Sequence, residues 1–166
     1  MIKYYILIIA FAFISCSQTF YVVRHAEKEK QELGMSSDVA LSAEGKNRAE
    51  NLSNLLANKN NKHIFSTNTI RTMATAAPIS NRLRLNITLY ENKFDSVFIK
   101  KIKATKGNVL IVGHSNTYDD IVNLLCGRII IMANLQDNEY DNLYEIKKRK
   151  GIIMRIENKK YGISTH

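Results

Sequence analysis

The stretch Tyr21-Val22-Val23-Arg24-His25-Ala26-Glu27-Lys28 decides how the rest of the chain is interpreted. Three β-favouring residues run directly into an Arg-His pair, which indicates a buried strand that ends in charge. Charge is costly to bury, so a charged pair at the carboxyl end of a central strand usually lines a ligand crevice. Taken alone, these eight residues fit equally well a strand that continues into an exposed polar loop.

Strands alternate with helices along the remainder of the chain. Apolar patterning predicts strands over 19–23, 63–66, 86–90 and 108–112, and helices that begin after Ser42, at Ile70, at Phe94 and at Thr117. Pro78 should kink the second helix. Segments 141–147 and 151–156 alternate with period two and predict a closing antiparallel hairpin. The pattern predicts an α/β fold: a three-layer α/β/α sandwich with a mostly parallel sheet and this C-terminal hairpin.

Two of the apolar strands end in a histidine, at His25 and at His114. In parallel sheets the binding crevice lies outside the carboxyl ends of the strands. We therefore expect Arg24, His25 and His114 to lie in this crevice, together with Arg71 from the turn after the second strand. Guanidinium groups neutralise phosphoryl oxygens, and a neutral histidine can act as a nucleophile. The constellation indicates phosphoryl transfer, which needs mainly positioning and electrostatic stabilisation.

Four motifs resemble those of the histidine phosphatase superfamily, which is also called phosphoglycerate mutase-like, and they stand in the family's order. They are Val22-Val23-Arg24-His25-Ala26-Glu27, Leu41-Ser42-Ala43-Glu44-Gly45, the segment 66–76 around Arg71, and Val112-Gly113-His114-Ser115-Asn116. Ala26 replaces the usual Gly and should restrict backbone approach to phosphate. Ser42 replaces Thr as a helix cap.

The resemblance implies a phosphatase in which His25 carries a phosphohistidine and Arg24, Arg71 and His114 hold the phosphoryl oxygens. Phosphatase is favoured over mutase because the longer insertions of the mutases are missing. Glu91 is the first choice for the acid that protonates the leaving group; Asp95 and Glu27 are the alternatives. The expected substrate is a phosphomonoester or a phosphohistidine, in a small molecule or a phosphoprotein, and no cofactor or metal is expected.

The first sixteen residues predict an export signal. Lys3 precedes an apolar run from Tyr4 to Ile14, which is shorter than the about 20 residues that span a bilayer. Phe13-Ile14-Ser15-Cys16 resembles the lipobox of bacterial lipoproteins, although the family prefers Leu at position 13. We therefore expect residues 1–16 to be a signal peptide and 17–166 a phosphatase-like domain.

Lipidation of Cys16 would anchor that domain to a bacterial membrane, facing the periplasm or the exterior. A plain signal peptide or an uncleaved anchor is the alternative. Cys126 is then the only thiol of the domain and is expected to be a small buried residue. The oligomeric state is not encoded in any pattern.

The net charge is +9, which suits an anionic partner. Part of that charge lies in Lys147-Lys148-Arg149-Lys150, with Arg155 nearby. No aromatic residue is interleaved with the cluster, so nucleic-acid binding is not expected. From the sequence alone, the cluster is explained by lysines that prevent the edge strand of a sheet from pairing with another chain.

Three other functions compete with phosphatase. Gly113-His114-Ser115-Asn116-Thr117 partly resembles the nucleophile elbow of the α/β-hydrolases, but only His166 follows it as a base. His25 and His114 could bind a metal, although two arginines oppose a cation. A binding module that keeps the pocket without turnover is the third alternative.

Overall fold

Strands and helices alternate along the chain in the computed structural model, which describes residues 17–30, 38–91 and 96–165. In chain order the elements are β1 (Ser17–Arg24), α1 (Ala43–Leu56), β2 (Asn61–Thr67), α2 (Ile70–Leu83), β3 (Ile87–Tyr90), α3 (Ser96–Ala104), β4 (Asn108–Gly113), α4 (Tyr118–Cys126), β5 (Asn142–Arg149) and β6 (Ile152–Lys160).

The strands form one six-stranded sheet in the order β3-β2-β4-β1-β5-β6. β1 to β4 are mutually parallel, whereas β5 runs antiparallel to both β1 and β6. The predicted α/β class, the mostly parallel sheet and the C-terminal hairpin are therefore confirmed. The hairpin strands extend beyond the predicted segments, because main-chain pairing continues past the last alternating apolar residue.

β1 is buried on both faces because helices cover each side of the sheet. Phe20 and Val22 face a core completed by α3 and α4, with Ile102, Tyr118 and Ile121. Tyr21 and Val23 face a second core completed by α1 and α2, with Leu52, Leu56, Ala76 and Ile79. This arrangement is the predicted three-layer sandwich, and it accounts for the uninterrupted apolar run in β1.

β1 and β4 lie side by side, but their connecting helices leave on opposite faces. Arg24 pairs with Gly113 at the end of both strands, and α1 and α4 then belong to different cores. A crevice opens between two parallel strands at such a point, since neither connection covers it. The fold thus creates a binding site at the residues that follow Arg24 and Gly113.

The start of α1 is docked directly against the loop that follows β1. The Ser42 side chain accepts a hydrogen bond from the Gly45 backbone N–H (3.2 Å), and the Ser42 N–H donates to Glu27 O (3.0 Å). A Cβ on Gly45 would lie only 2.0 Å from Glu27 O. The Leu-Ser-x-x-Gly motif is therefore a contact that fixes the loop after His25.

Ala26 contributes its side chain to the core. Its side chain is fully buried in a small cluster with Leu41 and Ala49, with Ala74 packed against it. Its methyl group thus forms part of the core between the loop and the helices α1 and α2, and it does not obstruct the crevice. This packing gives no support to the expected restriction on the approach of phosphate, which stays a prediction.

Some boundaries differ from those expected from the sequence. α2 is one helix from Ile70 to Leu83 that contains Pro78, and the expected kink at this proline stays a prediction. β2 extends to Asn61 and Thr67 because Asn61 also pairs with Asn108 of β4 and Thr67 with Tyr90 of β3. Residues 94 and 95 of the expected third helix lie outside the described residues. Within the described ranges, no helix is long and apolar enough to cross a membrane.

Candidate active site

His25 is held rigidly at the end of β1, with one ring nitrogen left for chemistry. Its backbone N–H donates to Gly113 O (2.8 Å), which continues the pairing of β1 with β4. Its Nδ1 lies 2.8 Å from Ala26 O. A carbonyl oxygen can only accept, so Nδ1 carries the hydrogen and Nε2 keeps its lone pair in the neutral ring.

His114 lies beside His25, with the ring centroids 5.4 Å apart in an edge-to-face arrangement. Its Nδ1 lies 3.3 Å from Nη2 of Arg71, which can only donate. Nε2 of the neutral ring therefore carries the hydrogen, and it donates to Thr67 Oγ1 at 2.9 Å. The His114 ring is thus fixed from both sides, by α2 and by the end of β2.

Both histidines are nearly inaccessible to solvent, with 4% and 6% exposure for His25 and His114. Burial lowers the pKa of His25 to about 3, and the charges of Arg24 and Arg71 act in the same direction. Burial, together with the same two arginines, lowers the pKa of His114 to about 4. Both rings are accordingly neutral at neutral pH, which is the state in which His25 Nε2 can attack.

Arg24 is anchored by one end of its guanidinium group. Nη1 donates to the backbone carbonyls of Gln136 (2.7 Å), Glu139 (3.2 Å) and Asp137 (3.3 Å). The guanidinium carbon lies 4.2 Å from the centre of the Tyr140 ring, a cation–π contact. Nε is buried without a hydrogen-bond partner among the described residues. Nη2 lies 4.0 Å from the exposed carboxylate of Asp137, which is beyond hydrogen-bond distance. Nε and Nη2 are therefore the donors that an oxyanion could use.

Arg71 lies in the first turn of α2 and shares a carboxylate with the helix N-terminus. Its Nη1 donates to Asp38 Oδ1 at 3.2 Å, and the Ile70 backbone N–H donates to both carboxylate oxygens of Asp38, at 2.9 and 3.1 Å. A guanidinium and a helix N-terminus that converge on one carboxylate define a site suited to an anion.

Threonines connect the elements that carry the site. Thr75 of α2 is fully buried, accepts a hydrogen bond from the Ala26 N–H (2.9 Å) and donates to Arg71 O (2.7 Å). Thr72 Oγ1 lies 3.0 Å from Thr67 Oγ1, which in turn holds His114. α2 therefore positions both histidines as well as Arg71.

The three carboxylates expected as possible acids differ in their surroundings. Glu91 follows β3, is exposed and lines a cavity of about 470 Å³ together with Arg71 and His114. Glu27 is engaged in a bidentate ion pair with the buried Arg48, with N–O distances of 2.7 to 2.9 Å. Asp95 lies outside the described residues. Glu91 is accordingly the carboxylate among these that faces the cavity.

The structure brings together the four residues that the sequence singled out: Arg24, His25, Arg71 and His114. Asp38, Thr67, Thr75 and Tyr140 were missed. Thr67 and Thr75 are polar residues within buried segments, which was a usable signal. The positions of Asp38 and Tyr140 depend on loops whose course no local pattern encodes.

The sites considered as alternatives have little support in the described residues. There, no group of three or more His, Cys, Asp or Glu side chains is arranged to hold a metal ion. His63 bonds through Nε2 to Lys106 O (3.1 Å), away from the crevice. Cys126 is partly buried and has no disulfide partner, and burial raises the pKa of its thiol. His166, the base that an acyl hydrolase would need, lies outside the described residues.

Known proteins share the fold described above, and a family model matches part of the sequence. The family model of the histidine phosphatase superfamily (branch 1) matches residues 20–93. The protein histidine phosphatase SixA complexed with tungstate shares the fold at 13% identity, with 84% of this chain and 96% of that chain covered and a TM-score of 0.66. A mycobacterial glucosyl-3-phosphoglycerate phosphatase superposes with a TM-score of 0.63 at 11% identity, covering 89% and 100% of the two chains.

A phosphoglycerate mutase from Bacillus anthracis str. Sterne has the same fold, with a TM-score of 0.60, 17% identity and coverage of 87% and 93%. No curated protein sequence matches the chain. The family match and the shared fold confirm the resemblance to the histidine phosphatase superfamily that the four motifs predicted.

The lowered pKa values of the two histidines predict how stability depends on pH. An unfolded histidine binds a proton at about pH 6.5, whereas His25 and His114 remain neutral in the folded chain until about pH 3 and 4. Unfolding therefore takes up protons in this window. The free energy of unfolding should fall as pH drops from 6.5 toward 4, by up to about 1.4 kcal/mol per pH unit for each ring.

Chemical denaturation at a series of pH values measures this slope. The double variant His25→Gln/His114→Gln should show a shallower dependence between pH 6.5 and 4, because it lacks both rings. Equal slopes for the two proteins would contradict the account.

Proposed function

We propose that the chain is a phosphatase that hydrolyses a phosphomonoester or a phosphohistidine through a phosphohistidine intermediate on His25. One observation carries the proposal: Nδ1 of a buried, neutral His25 donates to Ala26 O, which leaves Nε2 as a nucleophile beside two arginines and a second histidine. This arrangement matches the demands of phosphoryl transfer, which are positioning and charge stabilisation.

The first step transfers the phosphoryl group to His25. Nε2 forms a bond to phosphorus while the bond from phosphorus to the leaving oxygen breaks. Nε and Nη2 of Arg24 and the guanidinium of Arg71 are the donors proposed for the phosphoryl oxygens, and the His114 ring joins them when its Nε2–H exchanges Thr67 Oγ1 for a phosphoryl oxygen. Asp38 now occupies Nη1 of Arg71, so the phosphoryl group competes with this carboxylate for the guanidinium. The leaving oxygen needs a proton, and we infer that Glu91 supplies it; the cavity that Glu91 shares with Arg71 and His114 supports this role.

The second step returns the enzyme to its starting state. A water molecule attacks phosphorus from the side opposite Nε2, the bond between phosphorus and Nε2 breaks, and Glu91 takes the proton that the water loses. Inorganic phosphate leaves, and His25 is again neutral with its hydrogen on Nδ1. Glu91 thus acts as acid and then as base, and the proposed reaction needs no metal and no cofactor.

The substrate belongs to the class of small phosphorylated molecules or phosphoproteins. The names of the structural neighbours include phosphatases of a protein histidine and of a sugar phosphate. The apolar run at positions 4–14 and the lipobox-like ending at Cys16 support a location outside the cytoplasm, with the domain anchored by lipid to a bacterial membrane.

Replacement of the proposed nucleophile tests the function. The full chain in mild detergent should hydrolyse p-nitrophenyl phosphate, another phosphomonoester or a phosphohistidine protein, and His25→Ala should lower kcat by about a thousandfold or more. His63→Ala is the matched control, because His63 lies away from the crevice, and it should leave kcat unchanged. Tungstate binding without turnover of any of these substrates would favour a binding module, and a rate lost on chelation would favour a metal enzyme.

The role of Glu91 predicts a dependence on the leaving group. Nitrophenolate departs without a proton, whereas an alkoxide does not. Glu91→Gln should therefore reduce kcat for an alkyl phosphate by about a hundredfold and reduce kcat for p-nitrophenyl phosphate much less. An equal loss for both substrates would assign Glu91 to binding or structure, and no loss for either would leave proton transfer to another group.

A further inference from the structure

The end of the sheet opposite the proposed active site carries a concentrated positive charge. Three segments, 58–62, 101–108 and 147–155, lie where the parallel strands begin, and they hold ten Lys and Arg residues and no Asp or Glu. We call the surface formed by these segments the amino-end face. Side-chain bonds link the segments to one another: Asn108 Nδ2 donates to Lys59 O (2.6 Å), and Lys148 Nζ donates to Lys103 O (3.1 Å).

The amino-end face surrounds the point where β1 begins. In the antiparallel pairing of β1 with β5, Ser17 lies opposite Arg149. Ser17 also lines a surface cavity together with Lys147, Arg149, Met154 and Arg155. Cys16, the residue proposed to carry the lipid anchor, directly precedes Ser17. A bilayer that holds this lipid would consequently lie within a few residues of this basic surface.

Two large apolar side chains project from the same face. Ile152 is 67% exposed and Met154 is 59% exposed. The pairing of β5 with β6 shifts register between Lys147 and Lys148, which leaves Met154 as the extra residue of a β-bulge. Lysines alone would protect an edge strand, so that role does not account for an exposed Ile and Met among them. Basic residues that flank exposed apolar ones are typical of surfaces that bind a membrane interface.

We propose that the amino-end face lies on an anionic phospholipid surface, with Ile152 and Met154 in the headgroup region and the lysines and arginines against the lipid phosphates. β1 has eight residues and spans about 25 Å. The crevice at His25 therefore faces away from the bilayer, toward substrates that are not part of the membrane. The docking concerns a different surface from the proposed active site and does not depend on turnover.

Charge and composition favour lipid over nucleic acid as the partner. The three segments contain no Phe, Tyr, Trp or His, so they offer no ring on which bases could stack. Each basic residue near an anionic membrane strengthens binding by roughly fivefold. Loss of three charges should therefore weaken the docked arrangement on the order of a hundredfold.

A single introduced fluorophore tests the arrangement in the full chain. The chain has no Trp, so Met154→Trp supplies the only indole. The protein is inserted into vesicles of phosphatidylcholine and phosphatidylglycerol that carry brominated acyl chains. The indole at position 154 should be quenched and its emission shifted to shorter wavelength. Ile163→Trp is the control, because Ile163 is 75% exposed near the other end of the sheet, where its carbonyl binds Arg48, and its indole should remain unquenched.

The dependence of the quenching on charge distinguishes electrostatic docking from mere proximity of the indole to the bilayer. Quenching of Met154→Trp should decrease in pure phosphatidylcholine, at high salt, and in the added variant Lys147→Gln/Arg149→Gln/Lys150→Gln. The matched variant Lys28→Gln/Lys30→Gln/Lys46→Gln removes equal charge near the crevice and should retain the quenching. The measurement at high salt uses no charge variant, so it tests the proposal even if Lys147→Gln/Arg149→Gln/Lys150→Gln misfolds.

Three results would overturn the proposal. The first is an indole at position 154 that stays as unquenched as the indole at position 163 in anionic vesicles. The second is an emission shift without lipid that grows with protein concentration, which would indicate pairing of the β6 edge with a second copy. The third is a larger shift with a single-stranded oligonucleotide than with anionic vesicles.

Discussion

The parallel pairing of β1 with β4 is the constraint on which the site depends. It aligns Arg24 with Gly113, so that the next residue of each strand is a histidine, and the hydrogen bond from His25 N–H to Gly113 O extends the pairing by one step. A shift of register by one residue would move Val22 and Val23 to the wrong cores and separate the two rings. The apolar contacts that stabilise the sheet therefore also set the geometry of the proposed nucleophile.

The charges in the crevice suit an anion that comes from outside the protein. The two arginines oppose protonation of the histidines, and burial acts in the same direction. Asp38 bridges Arg71 and the N-terminus of α2, which are the groups that a phosphoryl oxygen would use. The network of Thr67, Thr72 and Thr75 holds these donors in place without adding charge. Such preorganisation stabilises a transition state because few groups need to move during the reaction.

Much of this was predictable from sequence. Two apolar runs locate the crevice: Tyr21 to Val23 leads into Arg24 and His25, and Val109 to Val112 leads to His114. The binding crevice of a parallel sheet lies at the carboxyl ends of its strands, where both runs end. Loops were less predictable. Asp38 and Tyr140 reach the site through tertiary contacts that have no periodicity. Glu27 was considered as an acid because it is close to His25 in sequence, and its ion pair with Arg48 of α1 depends on how that helix docks. The buried methyl group of Ala26 likewise depends on how α1 docks.

The phosphohistidine intermediate on His25 is tested most directly by detecting the phosphoryl group on the enzyme during turnover. Rapid mixing with a saturating phosphomonoester, quenching in base to preserve phosphoramidate bonds, and peptide mass spectrometry would locate it. We expect a phosphoryl group on the peptide that contains His25, formed and lost at rates compatible with kcat. Turnover with no phosphorylated peptide, or with the phosphoryl group on His114 or a serine, would contradict it.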